Sequence, residues 1–186
     1  MPRMVLSREE LIDKLVEVVY DVGYDGATLS VISEATGLGR ASLYHHFPGG
    51  KEQMLNAVLE QSDRWGSQRL GDLLASEQSA EEKVRGLFAA LDEVHTRAHQ
   101  LTLMNLFTYG SARQVFGSRI GQRAKAGLDA LTTLLQECGL TSEAARHKAL
   151  DAYIQIEGAM VLSRTLDDLD VFRRVVRRLP DQLLAH

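Results

Sequence analysis

The sequence predicts an all-α protein built from two helical domains, and three observations support this fold class. Apolar residues recur at spacings of three and four along most of the chain, which is the period of an amphipathic helix. Helix-capping residues and glycines separate these segments. No segment shows the apolar–polar alternation of a half-buried strand. We therefore expect a helical N-terminal domain over residues 1–50 and a helical C-terminal domain over 51–186.

The first predicted helix begins after Ser7, where Glu10 completes a capping box. Its apolar residues follow at spacings of four, three and four, and the helix is predicted to end at Gly23. These apolar residues are Leu11, Leu15, Val18 and Val22. We expect this face to pack on two shorter helices, with Tyr24 filling the core of the resulting three-helix domain.

Residues 28–51 predict two short helices joined by a tight turn. Thr28 is a favourable N-cap, and Gly37 can end the first of these helices because it carries no Cβ. The second, over residues 41–47, has a polar and cationic side that includes no carboxylate. Such a side suits a polyanion, and a helix held in place by a preceding helix is how helix-turn-helix proteins read the major groove. The predicted DNA contacts are Thr28, Arg40, Ala41, Ser42, Tyr44, His45, His46 and Lys51.

A spaced series of residues runs through the same region: Gly23 and Tyr24, Thr28, Ile32, the turn of residues 35–38, the run ASLYHHFP over 41–48, and Lys51 with Glu52. The series resembles the DNA-binding signature of the tetracycline-repressor (TetR) family of bacterial regulators. Ser33 and Thr36 stand where that family usually has alanine. The Gly49–Gly50 pair lengthens the following loop and is similar to a subset that includes repressors of multidrug-efflux genes. The resemblance implies a homodimeric repressor whose small effector binds in the larger domain.

Charge and composition give weaker evidence about the function than this series of residues does. The net charge is -4, and residues 1–51 hold five Lys and Arg against seven Asp and Glu. Overall charge therefore does not favour DNA binding, and the prediction depends on the positions of the cations in the sequence. No apolar run is long enough to cross a membrane, and the N-terminus lacks the apolar core of a signal peptide. We therefore expect a cytoplasmic protein. A single cysteine, Cys138, excludes an internal disulfide and is expected to be a buried thiol, with redox sensing as the alternative.

The larger domain is predicted to contain six further helices. They begin at Lys51 and at Ser79, run over 100–109 and 124–135, begin again at Thr141 or Ser142, and follow the acidic group of residues 167–170. The helix from Lys51 loosens its apolar pattern at Gly66 and Gly71, which predicts a domain boundary within it or at its end.

A ligand pocket is predicted around the segment of residues 100–109, QLTLMNLFTY, because a helix apolar on most sides is buried. The candidate ligand contacts are Trp65, Met104, Asn105, Phe107 and Tyr109. This lining favours an apolar, aromatic effector, since it offers no charge to compensate a buried ionic ligand. The alternative is that these side chains only fill the core.

The last predicted helix has one apolar stripe, whereas the predicted helix from Thr141 or Ser142 carries apolar residues on more than one face, together with small residues that allow close backbone approach. One face can pack within the subunit and the other on a second copy. The predicted homodimer interface comprises Ala152, Ile156, Ala159, Phe172, Val175 and Leu179. Four arginines lie opposite the apolar stripe of the last helix, and we interpret them as the polar face of an amphipathic helix, with a second DNA site as the alternative: Arg173, Arg174, Arg177 and Arg178.

Catalytic and metal chemistry find little support. His95 and His99 stand one helical turn apart, but no cysteine or carboxylate cluster completes a metal site. No catalytic constellation or cofactor motif is present, so we expect no enzyme, metal or cofactor.

The function predicted is a ligand-responsive repressor that binds an inverted-repeat operator as a homodimer and is released by a small apolar effector. An effector-free architectural or interaction protein of the same fold is the alternative. The effector, the operator and the sign of regulation stay open.

Overall fold

The structure, a computed structural model of the 186-residue chain, describes residues 6–97 and 106–185, without the side chains of residues 65 and 94–97. Across these ranges the chain forms eight α-helices and no strand, which confirms the predicted all-α class. The helices are α1 (Arg8–Gly26), α2 (Leu29–Thr36), α3 (Arg40–His46), α4 (Gly50–Ala75), α5 (Ala80–Arg97), α6 (Gly110–Glu137), α7 (Ser142–Leu166) and α8 (Leu169–Leu184). None of the helices in the described part of the chain combines the length and apolar character needed to cross a bilayer.

The chain divides into two compact units. The first comprises Met1–Ser67 with Thr102–Gly117, and the second comprises Gln68–Leu101 with Ser118–His186. The division therefore falls within α4 and within α6. The three helices expected within residues 1–50 are α1, α2 and α3, and the first unit also contains the beginning of α4 and of α6.

The first unit is organised by the contacts of α1 with α2 and of α2 with α3. At the start of α1 the predicted capping box is present: the Ser7 amide donates to Glu10 Oε2 at 2.7 Å, and the Glu10 amide donates to Ser7 Oγ at 3.2 Å. Hydrogen bonds from the Ser7 amide and then from the Ser7 side chain to the Glu10 carboxylate hold the pKa of this carboxyl below its usual value. The backbone leaves the helical region at Gly23, as predicted, and one further turn continues to Gly26. The core of the unit includes Leu11, Leu15, Val19, Ile32, Leu43, Phe47, Met54, Leu55 and Val58.

The second unit is organised around α8, which packs against α5 and α7. Its buried cluster includes Val84, Phe88, Leu131, Leu135, Ala149, Met160, Phe172, Val176, Leu179 and Leu183. Lys148 caps the end of α8, because its ammonium donates to the carbonyls of Leu183 at 3.0 Å and Ala185 at 2.5 Å. Such bonds satisfy carbonyl groups that have no partner within their own helix.

The arginine face of α8 takes part in the packing of this unit. Arg177 Nε lies 2.9 Å from Asp92 Oδ2, and Arg173 Nε lies 3.9 Å from Asp92 Oδ1. Arg178 donates to Gln155 Oε1 at 3.3 Å. These contacts support the interpretation that the face is structural and is not a second DNA site.

Two predicted elements differ from the structure near the start of α6. Most of the helix expected over 100–109 lies outside the described residues, and residues 107–109 form a turn and bends ahead of α6. The helix expected from residue 124 already begins at Gly110. The glycines at 117 and 121 suggested a break, but Ala112, Phe116 and Ile120 follow at spacings of four and are all buried. Burial of this stripe outweighs the low helix propensity of glycine.

Candidate nucleic-acid interface

The turn between α2 and α3 is fixed by local hydrogen bonds. Thr28 caps α2 by accepting from the Val31 amide at 3.3 Å, as predicted, and Gly37 ends α2 in the left-handed region with φ +67°. Ser33 Oγ then donates to the Leu38 carbonyl at 2.6 Å, and Thr36 Oγ1 donates to the Ile32 carbonyl at 2.7 Å. The two hydroxyl residues that distinguish this turn from the usual alanines therefore secure it.

One side of α3 is anchored in the core, which determines the side that remains outside. Leu43 and Phe47 are fully buried, one helical turn apart. The other residues of α3 are exposed or half-buried, and we call these six the α3 surface: Arg40, Ala41, Ser42, Tyr44, His45 and His46. Tyr44 is 44% exposed, and the rings of His45 and His46 meet edge to face with centroids 5.8 Å apart. The α3 surface offers hydroxyls, imidazoles and a guanidinium and contains no carboxylate.

Arg40 occupies the first position of α3 and is held there by α2. Its Nη2 donates to Ser30 Oγ at 3.3 Å, and both side chains are exposed. Residues at the N-terminal end of a recognition helix are those that reach base edges in helix-turn-helix complexes. Ser30, which the sequence pattern did not indicate, therefore orients the guanidinium at this end of α3.

The C-terminal end of α3 is held by α1. Arg8 Nη1 donates to the His46 carbonyl at 3.0 Å, and the guanidinium carbon lies 4.6 Å from the centroid of the Phe47 ring. The Arg8 guanidinium therefore caps the end of α3 and covers an aromatic ring.

We expect Arg8→Met to weaken DNA binding by roughly 3- to 30-fold, because lost contacts of about 0.5 to 2 kcal/mol let the end of α3 move. Methionine keeps the apolar stem and removes the guanidinium. Fluorescence anisotropy with a labelled duplex measures the change, and Arg113→Met, an exposed arginine of α6, serves as the control. Parent affinity in Arg8→Met would show that Arg8 does not hold the interface.

Lys51, predicted as a phosphate contact, has its ammonium directed at its own unit. Nζ lies 4.3 Å from the centroid of the Tyr24 ring and donates to the Asp25 carbonyl at 3.4 Å. Partial burial lowers the pKa of Lys51 from its usual value, and the Asp25 charge opposes that shift. The other predicted contact outside α3, Thr28, is exposed at the start of α2, whereas the Lys51 ammonium already has partners within its own unit.

Residues 11–58 match the sequence model of the tetR family of bacterial regulatory proteins. The N-terminal domain of this chain is therefore a TetR-type DNA-binding domain. The chain is 35% identical over 92 residues to the HTH-type transcriptional repressor KstR2 of Mycolicibacterium smegmatis, a match that covers 50% of this chain and 44% of that protein. The chain thus spans about half the length of the curated relatives it matches first. Their names describe regulators and repressors, a non-enzymatic role.

Solved structures show that the TetR fold extends over the whole chain. A TetR transcriptional regulator from Legionella pneumophila superposes with a TM-score of 0.77 at 20% identity and covers 100% of both chains. The regulator FadR from Bacillus subtilis, solved in complex with stearoyl-CoA, superposes with a TM-score of 0.71 at 19% identity and covers 96% of this chain and 98% of its own. At these identities the similarity concerns the fold.

Of the residues predicted to bind an effector, the structure describes the side chains of Phe107 and Tyr109, and these two lie in different surroundings. Phe107 is fully buried, with its ring centroid 6.2 Å from that of Tyr24 and 5.1 Å from that of Phe116. Tyr109 is 77% exposed. Met104, Asn105 and the side chain of Trp65 lie outside the described residues. The structure therefore assigns Phe107 to an aromatic cluster of the first unit.

The residues predicted to form the dimer interface lie in or against the core of their own unit. Ala152, Ala159, Phe172 and Leu179 belong to its buried cluster, and Ile156 and Val175 pack against that cluster half-buried. The exposed apolar residues of α7 form a different stripe, which we call the α7 face: Leu150, Ile154, Val161, Leu162 and Leu166. Both sides of α7 are apolar in sequence, so periodicity alone could not tell which side faces the core.

The histidines and the cysteine considered in the sequence give no evidence of a metal site or a reactive thiol among the described residues. His99 and the side chain of His95 lie outside the described residues, within which no cluster of His, Cys, Asp or Glu could hold a metal. Cys138 is half-buried, and burial raises the pKa of its thiol, which favours the inert thiol predicted from the sequence.

Proposed function

We propose that this chain is a transcriptional repressor that binds an inverted-repeat operator as a homodimer and is released by a small apolar effector. The observation that carries the proposal is the α3 surface: a short helix, fixed by Leu43 and Phe47 on one side, presents only neutral polar, aromatic and cationic groups on the other. The match of residues 11–58 to the tetR family and the repressor name of KstR2 support the same function.

The α3 surface offers groups for two kinds of DNA contact. The hydroxyls of Thr28, Ser42 and Tyr44 suit phosphate oxygens, which position a protein without reading sequence. Arg40 and His45 suit base edges, and a guanidinium can make two hydrogen bonds to guanine in the major groove. A negative net charge does not oppose this role, since the acids of residues 1–51 lie outside the segment from Arg40 to Lys51.

We propose that the second subunit docks on the α7 face. Five exposed apolar side chains on one helix are costly in water, and Leu169, at the start of α8, is also exposed. A two-fold contact between two copies would cover each α7 face with the other one. The occupant is a second copy because a single α3 spans only a few base pairs, whereas an inverted repeat presents two equivalent half-sites.

The effector is proposed to be small and apolar. FadR of Bacillus subtilis, which has the same fold, was solved in complex with stearoyl-CoA, so this fold can bind a ligand that carries an acyl chain. The segment QLTLMNLFTY carries no charged side chain, which favours an apolar ligand over an ionic one. An effector-free DNA-binding protein is the second candidate.

The test is selection from a library of random DNA duplexes, followed by sequencing of the bound pool. We expect enrichment of an inverted repeat, and we call the best member the selected duplex. A panel of apolar aromatic and acyl-chain compounds is then titrated into the complex, and release is measured by fluorescence anisotropy. Absence of any enriched sequence would refute the operator, and enrichment without release by any compound would favour the effector-free protein.

A further inference from the structure

The residues just after Gly23 join two parts of the first unit that are far apart in sequence. The Asp25 carboxylate accepts from the Ser111 amide at 3.4 Å and from the Ser111 hydroxyl, at the start of α6. The Asp25 backbone carbonyl accepts from Lys51 Nζ, at the start of α4. One residue thus holds the beginnings of two helices.

The contact with α6 is tight and electrostatically favourable. Gly110 has φ +59°, and a Cβ at this position would collide with the Asp25 carboxylate. Only glycine adopts this backbone without strain and leaves the carboxylate room to approach. The first amides of a long helix lack partners and carry a partial positive charge, so an anion at this end is stabilised. Asp25 therefore acts as an N-cap supplied by a different part of the chain.

A contact between aromatic rings lies beside the contact of Asp25 with the start of α6. The Tyr24 ring meets Phe116 edge to face with centroids 5.6 Å apart, and Phe107 completes the cluster. Phe107 and Phe116 are both buried. Aromatic clusters of this geometry resist small displacements because interiors are close-packed. The positions of Tyr24 and Asp25 are thus tied to residues 107–116.

On the side away from residues 107–116, Tyr24 and Asp25 contact residues that lie next to the α3 surface. The Tyr24 ring lies under the Lys51 ammonium. The preceding residue, Gly50, lies beside Tyr44, since a Cβ added to it would be in van der Waals contact with the Tyr44 ring at 3.5 Å. Hydrogen bonds and ring contacts therefore run from Ser111 and Phe116 through Tyr24 and Asp25 to Lys51, whose neighbour Gly50 lies beside Tyr44 of the α3 surface.

We propose that Asp25 is a positioning residue for the α3 surface: acting through Lys51, it makes DNA affinity depend on residues 107–116, which supply no group to the DNA. The inference rests on the proposed function. It assigns Lys51 to the support of Tyr44 and not to a phosphate. It also gives a physical route by which an event at the start of α6 changes DNA binding.

The test is a double-mutant cycle on affinity for the selected duplex. Ser111→Ala removes one bond to Asp25, and Lys51→Met removes the ammonium but keeps the apolar stem over Tyr24. We expect Ser111→Ala to weaken binding by roughly 3- to 10-fold, and the double variant to bind no more weakly than Lys51→Met alone, because coupled sites are not additive. Lys51→Met should also keep the parent's salt dependence, since removal of a phosphate contact would lower the slope by about 0.9.

Controls separate positioning from a merely structural role. Ser111→Thr keeps the hydroxyl and should bind like the parent, and Gln114→Ala, an exposed change on the same helix, should do so as well. Gly110→Ala should weaken binding in the same direction as Ser111→Ala. All affinities are measured well below the melting temperature of each variant. Provided that the parent protein binds the selected duplex, two results would overturn the inference. One is a Ser111→Ala variant with the parent's affinity, and the other is a double variant in which the two losses of affinity are additive. Failure of the parent to select any duplex would instead refute the proposed function.

Discussion

Replacing Ile154 with glutamate is expected to convert the proposed homodimer into monomers and to weaken operator binding by at least about 100-fold, since joining two binding modules raises affinity by about 10²- to 10⁴-fold. Ile154 lies near the middle of the α7 face and is 61% exposed, so the change does not disturb the core of its own unit. In a two-fold interface the carboxylate is introduced twice, and burial without a partner is costly. Light scattering measures the mass, and anisotropy with the selected duplex measures the affinity.

A matched control places the same carboxylate elsewhere. Gln136→Glu changes an exposed residue of α6 outside the α7 face and should leave both mass and affinity as in the parent. Ile156→Glu would be a poorer probe of the dimer, because Ile156 packs half-buried against the core and its replacement also tests folding. A dimeric Ile154→Glu variant with parent affinity would show that the second copy docks elsewhere.

Arg40→Ala is expected to weaken binding to the selected duplex by about 1 to 3 kcal/mol, or roughly 5- to 150-fold, and to relax the preference for one base pair in each half-site. The expectation follows from its place at the start of α3 and from the Ser30 hydroxyl that orients the guanidinium. Affinities are measured for the selected duplex and for its single-base variants. The readout that identifies the base contact is the loss of discrimination, because a phosphate contact contributes equally to all sequences.

Arg113→Ala provides the comparison for Arg40→Ala. It removes the same charge from an exposed site on α6 and should leave discrimination between base pairs intact. Tyr44→Phe is expected to weaken binding to all duplexes alike, since it removes one hydroxyl suited to phosphate. An Arg40→Ala variant with the parent's base preference would remove Arg40 from the base-reading set.

The sequence predicted the DNA-reading part well because its determinants are local. The capping box of Ser7 and Glu10, the cap at Thr28 and the turn at Gly37 each involve residues within a few positions of one another. Leu43 and Phe47 are four residues apart, and this helical spacing is enough to place them on one buried side of α3 and the polar residues on the other.

The contacts that support this interface could not be predicted, because each joins residues that are distant in sequence. Arg8 meets the His46 carbonyl, and Asp25 meets both Lys51 and Ser111. A lysine beside a predicted recognition helix is ordinarily interpreted as a phosphate contact. The Tyr24 ring and the Asp25 carbonyl show that this ammonium has partners within the protein.

The sequence could not show which face of α7 packs in the core of its own unit, and the reason is different. Small residues such as Ala152 and Ala159 allow close approach of any neighbouring helix, whether it belongs to the same subunit or to another one. The structure shows that they face the core of their own unit. The larger exposed residues Ile154 and Val161 are therefore the better candidates for the two-fold contact.

The central claim, that the α3 surface reads a DNA sequence, is tested most directly by comparing the selected duplex with a scrambled duplex of the same length and composition. Affinities for both are measured across a range of salt concentrations, so that the sequence-independent contribution is known. We predict that at physiological salt the selected duplex binds at least about 10³-fold more tightly than the scrambled one. Equal affinity for the two duplexes at every salt concentration would contradict the claim and would favour an architectural protein that binds DNA without reading it.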